Sequence, residues 1–452
     1  MDLAIRAWRV VTPGGTRPAC IIVREGKISQ IVDFIVTPSD SEVLDLGDRM
    51  VLPGLVDTHV HVNEPGRTDW EGFATATQAA AAGGCTTIVD MPLYCLPATT
   101  TVAALTQKRQ AATGQCWVDY GFWGGLVAEN SQHLEALAEA GVLGYKCSLT
   151  PPGIGGFTMV SPRQVEAAMP IVAQTGLPLL THAELPGPLE AARRELDRDP
   201  RADWRKYRTY FESRPDEAEF EAVGLMVELS RRYDCDVHIV QLSSCETLLD
   251  VRSAREEGLP ITVETCPHYL HFAADEIPDR ATQYKCAPPI RNRENRERLW
   301  DALRDRTIDL IASDHSPCPP AMKHFEKGSF REAWGGVASL SLGLPVIWTE
   351  AKRRGFSIGD VVRWMAEKPA ELAGLSRRKG RIEEGHDADL VVFNPEASFQ
   401  VEANRLPYRH PVSPYLGETL QGVVEMTFVR GQRVYANGQF TGSPIGMECA
   451  GV

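Results

Sequence analysis

The sequence predicts an α/β chain: a (β/α)8 TIM-like barrel carrying a small β-sandwich domain built from both termini. Three observations lead there. The middle of the chain alternates apolar strand-like runs with helical segments eight times over, as a parallel barrel requires. The two ends carry short alternating strands and glycine turns instead. Residues suited to chemistry fall at the ends of several different apolar runs, where a barrel gathers its active site. An open doubly wound sheet is the alternative, but the G-x-G-x-x-G phosphate fingerprint is absent after the first strand.

At the amino end, strands are expected over 3–11, 19–24 and 27–32, with turns at Gly14-Gly15 and Glu25-Gly26. At the carboxyl end they are expected over 388–393 and 422–431. So few strands at either end do not make a stable sheet alone. One β-domain formed from 1–50 and 376–452 solves this, with 51–375 inserted as the barrel. Barrel strands are expected at 51–58, 85–90, 116–123, 141–147, 177–183, 236–242, 260–265 and 308–313. Helical periodicity lies between them, as from Asp216 to Tyr233 with apolar Phe220, Val223, Leu225, Met226, Val227 and Leu229.

A chain of 452 residues with 43% hydrophobic and 24% charged content fits a soluble globular protein. The net charge of −13 argues against a nucleic-acid groove. No apolar run reaches the roughly 18 residues of a membrane span, and Met1 to Arg6 lacks a signal-peptide core. The 11 cysteines have no framework spacing, which reads as free thiols in a reducing, cytoplasmic compartment.

The chemistry begins at Gly54-Leu55-Val56-Asp57-Thr58-His59-Val60-His61, an apolar run ending in two histidines at i and i+2. Strand side chains alternate, so His59 and His61 face one way, as half of a metal site would. Lys146 stands inside the apolar run Gly144-Tyr145-Lys146-Cys147. Burial there leaves a neutral, nucleophilic amine able to capture carbon dioxide as a carbamate; a lysine snorkelling to the rim is the other reading. His182 ends strand five, and Asp314 follows strand eight in Ser313-Asp314-His315-Ser316-Pro317. A carboxylate there can bind metal and exchange a proton with water. His268 is read as pocket-lining or packing. His133, His271, His324, His386 and His410 are read as structural or surface residues.

In these features the chain resembles the cyclic amidohydrolases, the group holding dihydroorotase, hydantoinase, dihydropyrimidinase and allantoinase, and most of all the allantoinase branch. The resemblance spans essentially the whole chain. It is carried by Asn63-Glu64-Pro65-Gly66-Arg67, Met91-Pro92-Leu93, Glu264-Thr265-Cys266-Pro267-His268-Tyr269, Lys285-Cys286-Ala287-Pro288-Pro289-Ile290-Arg291, Ala333-Trp334-Gly335-Gly336 and Tyr408-Arg409-His410. Two departures favour allantoinase. Asn63 stands where similar dihydroorotases hold a carboxylate-binding arginine, and Pro151 stands where hydantoinases usually place a tyrosine.

The resemblance implies hydrolysis of the cyclic amide of allantoin to allantoate. It implies a first divalent ion on His59, His61 and Asp314, and Lys146 as a carbamate bridging two ions. His182 would bind the second ion, and backbone at Ala287 and Gly335 would contact the ring. Zinc suits imidazole plus carboxylate, while manganese, cobalt, nickel and iron also occupy such sites. Asp314 would serve as catalytic acid and base. Segments 63–70 and 151–157 are candidate lids. A homotetramer acting on a small cyclic ureide, away from nucleic acid and membrane, completes the expectation.

One departure cuts the other way. The family's second ion also takes a histidine just before a Leu-Ser-Ser run; here that run is Leu242-Ser243-Ser244, preceded by Gln241. Three readings follow. The second ion is weak or absent, Gln241 binds it through oxygen, or activity is changed or lost. A hydantoinase or dihydropyrimidinase specificity, or a non-catalytic scaffold on the same fold, are the alternatives. Strand parity places the nearby His238 on the opposite face from Gln241.

Overall fold

The computed structural model describes residues 3–36 and 42–451. Met1, Asp2, residues 37–41 and Val452 belong to the predicted terminal parts of the β-domain, and they lie outside the described residues.

Strands from both ends share one nine-stranded sheet. Leu3–Thr12, Gly15–Arg24 and Lys27–Val32 form an antiparallel meander. Met50–Pro53 pairs with Leu3–Thr12 on one side and with Leu390–Gln400 on the other, so it joins the amino-terminal strands to the carboxyl-terminal ones. Leu390–Gln400 continues into Thr419–Val429. The sheet rolls on itself: the turn at Gly26 lies against Arg430, and Ala388 donates its N–H to the Gly26 carbonyl at 2.8 Å. Ile5, Val10, Ile21, Leu390, Val392 and Phe428 share the resulting core. The sandwich is therefore one continuous curled sheet rather than two separate ones.

The expected first barrel strand, 51–58, is divided at Gly54. Residues before it belong to the rolled sheet, and Leu55–Val60 begins the barrel. The division has a steric cause: a β-carbon on Gly54 would lie 2.1 Å from the Thr86 hydroxyl oxygen. Only glycine lets the chain pass that close while its N–H reaches the Asp389 carbonyl at 2.8 Å.

The remaining barrel strands are Cys85–Asp90, Asp119–Phe122, Tyr145–Ser148, Leu179–His182, Val237–Ile239, Ile261–Thr265 and Leu310–Ile311, paired in parallel as two arcs. One seam closes through Gly124–Gly125, which follows the third strand after Trp123 and pairs with the fourth. The other closes where Val60 bridges His315 and His61 donates to the His315 carbonyl at 2.9 Å. The strands are buried almost throughout, as a barrel walled by helices demands.

The helix Asp216–Tyr233 shows why the helices form where the periodicity puts them. Acidic residues fill its first turn and Arg231 and Arg232 its last, complementing the helix dipole. Ala222, Val223, Met226 and Leu229 form its buried stripe. Phe220, expected in that stripe, is instead 45% exposed.

A buried charge cluster pins the barrel to the rolled sheet. The Lys379 Nζ lies 2.6 Å from Asp119 at the start of the third barrel strand, 2.7 Å from Asp389 and 3.0 Å from Asp387. Burial works against the lysine's charge, but the aspartates outweigh it and its pKa is raised. Lys379→Met strands buried carboxylates, and a loss of about 3–5 kcal/mol of stability is expected, read as a lower denaturant midpoint at unchanged slope. Burial pushes the Asp387 carboxyl up, but Lys379 and Arg378 bring it down to about 2. Its contribution is therefore present above about pH 4 and is lost as pH falls toward that lower value.

Candidate metal centre

His59 and His61 leave the first barrel strand on the same side, their ring centres 5.4 Å apart. Their Nε2 atoms lie 3.2 and 3.3 Å from the same oxygen of Asp314, and one ligand atom from each residue falls within 4.8 Å of the others. Asp314 sits beyond Leu310–Ile311 with φ +45°, a left-handed conformation uncommon for a side-chain-bearing residue. The Ser316 hydroxyl holds it there, donating to the Asp314 carboxylate at 2.8 Å. Burial drives the His61 pKa down to about 4 against the pull of Asp314. Burial opposes ionisation of Asp314, but the two histidines outweigh it and hold its carboxyl well below the usual range. Two imidazoles and a carboxylate, buried and convergent, are a donor set that could hold a divalent ion.

Glu264 orients this set. One of its oxygens lies 2.5 Å from His59 Nδ1, and the other lies 3.1 Å from His238 Nε2. With its Nδ1 proton engaged by a carboxylate, His59 offers Nε2 as the ligand atom. Burial raises the Glu264 pKa, but His59 and His238 reverse the effect and bring it down to about 2. Sequence reading did not give Glu264 a role. The available signal was an acid in the buried strand Ile261–Thr265, which calls for a partner.

Lys146 points inward from the fourth strand at 2% exposure, and its Nζ has no hydrogen-bond partner among the described residues. It does not snorkel to the rim. Burial lowers its pKa to about 8, against Glu264 and other nearby acids. An orphaned buried amine is costly, and its chemistry fits a carbamate that would bring oxygen ligands to this position. The register pairs Ser148 with His182 and Lys146 with Leu180, so Lys146 lies one layer deeper than His182.

His182 ends the fifth strand with Nε2 2.8 Å from Glu184, which leaves Nδ1 as the nitrogen free to act as a donor to an ion. Arg214 clamps Glu184 through both carboxylate oxygens. Burial pushes the Glu184 carboxyl up, yet Arg214 and His182 bring it down to about 2. Glu184 and Arg214 were also missed in the sequence; an acid two residues after a strand-end histidine is a weak signal alone.

Gln241 lies beyond the sixth strand with φ +46°. Its side-chain nitrogen donates to the Ala287 carbonyl at 2.6 Å, and its main-chain N–H donates to Glu264 at 3.1 Å. The parity expectation for His238 is corrected. The strand ends at Ile239, so alternation stops before Gln241, and both residues approach Glu264.

His59, His61, Lys146, His182, Gln241 and Asp314 line one cavity of about 430 Å³, together with Ala287 and Gly335. Tyr94 lies over His61, with ring centres 4.7 Å apart, and packs edge-on against Trp334. Arg67 donates at 2.9 Å to both the Tyr94 and the Gly155 carbonyls, tying the two candidate lid segments together. His324, read as a structural or surface residue, lines the cavity. His268 is fully buried against Tyr269.

A family model described as the amidohydrolase family matches residues 50–434. The chain belongs to the amidohydrolase family. Among its relatives, an allantoinase of Streptomyces avermitilis is 46% identical over 98% of this chain and 97% of its own length. An allantoinase of Saccharomyces cerevisiae is 42% identical over 96% of this chain and 95% of its own. Among solved structures, the L-hydantoinase (dihydropyrimidinase) of Arthrobacter aurescens superposes with a TM-score of 0.94 at 29% identity, covering 99% of both chains. The dihydropyrimidinase of Brevibacillus agri NCHU1002 gives a TM-score of 0.91 at 28% identity, covering 99% of this chain and 98% of the other. The barrel with its rolled sheet is thus the amidohydrolase fold. No helix among the described residues is long and apolar enough to cross a membrane.

Proposed function

We propose that this amidohydrolase opens the ring of allantoin to give allantoate. The observation that carries the reading is the convergence of His59, His61 and Asp314 above the orphaned Lys146 amine. The near-full-length identity to allantoinases supports it. Neutral Asn63, turned toward the Pro317 carbonyl, offers no guanidinium for the carboxylate of dihydroorotate.

In this reading His59, His61 and Asp314 would hold a divalent ion, with zinc favoured by the donor set, and Lys146, as a carbamate, would add oxygen ligands. A bound ion supplies Lewis acidity and lowers the pKa of water toward about 7. Asp314 takes the proton from the attacking water on a carboxylate oxygen and delivers it to the departing ring nitrogen. Glu264 keeps His59 in the tautomer that leaves Nε2 free. Ala287 and Gly335 hold the ring with main-chain groups, and Gln241 fixes the Ala287 carbonyl through its amide. The eleven buried free cysteines support a reducing, cytoplasmic setting. A homotetramer remains part of the proposal on the resemblance alone.

The second ion position is the weaker one. It has Lys146 and His182, but Gln241 spends its nitrogen on Ala287 and can offer only an amide oxygen, a poorer ligand than imidazole for a zinc-like ion. Gln241→His is expected to raise zinc content toward two per chain and, by removing the tie to Ala287, to raise KM. Metal analysis with steady-state kinetics checks both, and unchanged metal content contradicts the assignment. The substrate reading is tested by comparing allantoin with dihydrouracil and with 5-methylhydantoin, which lacks the ureido arm. Allantoin should have the highest kcat/KM, and a preference for either of the others would reassign the specificity.

A further inference from the structure

The outer wall of the cavity is cationic in a chain of net charge −13. Most of its charges are already matched. Arg214 is clamped on Glu184 and Arg331 pairs with Asp197 at 2.6 Å. Glu332, the acid on that wall, pairs with Lys327 at 2.6 Å. On this outer wall, away from Lys146, two cations have no carboxylate partner among the described residues. Arg193, on the helix Pro186–Arg198, makes no hydrogen bond or ion pair among the described residues. Lys285 donates only to the main-chain carbonyls of Ala333 and Arg331, at 2.5 and 3.4 Å. Arg193 is exposed to solvent, and the Lys285 ammonium also lies 5.2 Å from the Tyr210 ring centre; what neither cation has is a carboxylate, and both face the same cavity.

We propose that Arg193 and Lys285 form a carboxylate subsite, so that the cavity binds cyclic ureides whose ring substituent ends in a carboxylate. The inference rests on the reading of the cavity as a cyclic-ureide site, with the ring at Ala287 and Gly335 and its substituent directed outward. Lys285 and Ala287 line the same cavity, and the Lys285 ammonium is held at the Ala333 carbonyl, two residues before Gly335. Burial, joined by Arg214, Lys323 and Arg193, pushes the Lys285 pKa down to about 7, the direction expected of a cation cluster lacking its anion. A carboxylate shared by a guanidinium and an ammonium makes charge-assisted bonds that a neutral amide cannot match.

Isothermal titration calorimetry of the zinc-loaded protein, with hydantoin-5-acetic acid and with its neutral amide, reads the subsite directly. The acid should bind about ten-fold tighter than the amide, and the preference should shrink to about two-fold or less in the double variant Lys285→Met, Arg193→Gln. Equal affinities in the unmodified protein would overturn the proposal. So would a preference that survives the double variant, because the metal centre would then be holding the carboxylate. Arg193 sits on an exposed helix face, so Arg193→Gln alone gives a folded variant in which the preference should already fall. Allantoin hydrolysis by the same preparation keeps the two readings apart. Turnover without an acid preference removes only the subsite, whereas absence of turnover removes the allantoinase reading whatever the acid does.

Discussion

Asp314→Asn is expected to lower kcat on allantoin by about 10²–10⁴-fold, the usual contribution of a positioned acid–base group. The substitution keeps the shape of the side chain, and the Ser316 hydroxyl can still donate to the amide oxygen. It removes the carboxylate that, among the described residues, meets both histidines, 3.2 Å from His59 and 3.3 Å from His61. Proton transfer to the ring nitrogen then has no carrier, and the first ion position would lose the carboxylate among its ligands. Direct detection of allantoate gives the rate, and circular dichroism confirms the fold. A folded Asp314→Asn protein within about ten-fold of the unmodified rate would remove Asp314 from the chemistry.

Lys146→Met should separate two effects that are tangled in the natural chain. With metal and bicarbonate supplied, the variant lacks the amine that would carry the carbamate. Metal content should fall, and turnover with it, by about 10²-fold or more, since Lewis-acid stabilisation is worth several kcal/mol. Without metal the sign reverses. The natural chain buries an amine with no partner, which costs about 1–3 kcal/mol, and methionine fills similar space without that penalty. Metal-free Lys146→Met should therefore unfold at an equal or higher denaturant concentration than metal-free natural protein. A variant that is destabilised without metal and unimpaired with it would show Lys146 to be an ordinary packing residue.

The ends of the barrel strands were the most legible part of the sequence. Two histidines at i and i+2 on an extended run share a face, and His59 and His61 do so although the pairing of Leu55–Val60 shifts register twice and His61 lies just past its end. Lys146 was legible for a related reason: a lysine in an apolar strand demands an explanation, and the orphaned Nζ gives one. Regularity also marks where sequence reading fails. Parity misplaced Gln241 against His238 because the sixth strand is only Val237–Ile239 and Gln241 takes a positive φ. The division at Gly54 depends on contact with Thr86, a residue distant in sequence. Glu264, Glu184 and Arg214 act by holding other side chains, and such roles become visible only once the chain has brought them together. His324 reached the cavity wall through a loop that carries no periodicity to read.

Allantoate formation by the purified chain, measured first after chelation and again after zinc and bicarbonate are returned, is the most direct test of allantoin hydrolysis at a metal centre. Negligible turnover without metal and allantoate production on reconstitution are expected, with activity rising as the His59–His61–Asp314 position fills. A folded, zinc-loaded protein that leaves allantoin intact would contradict it.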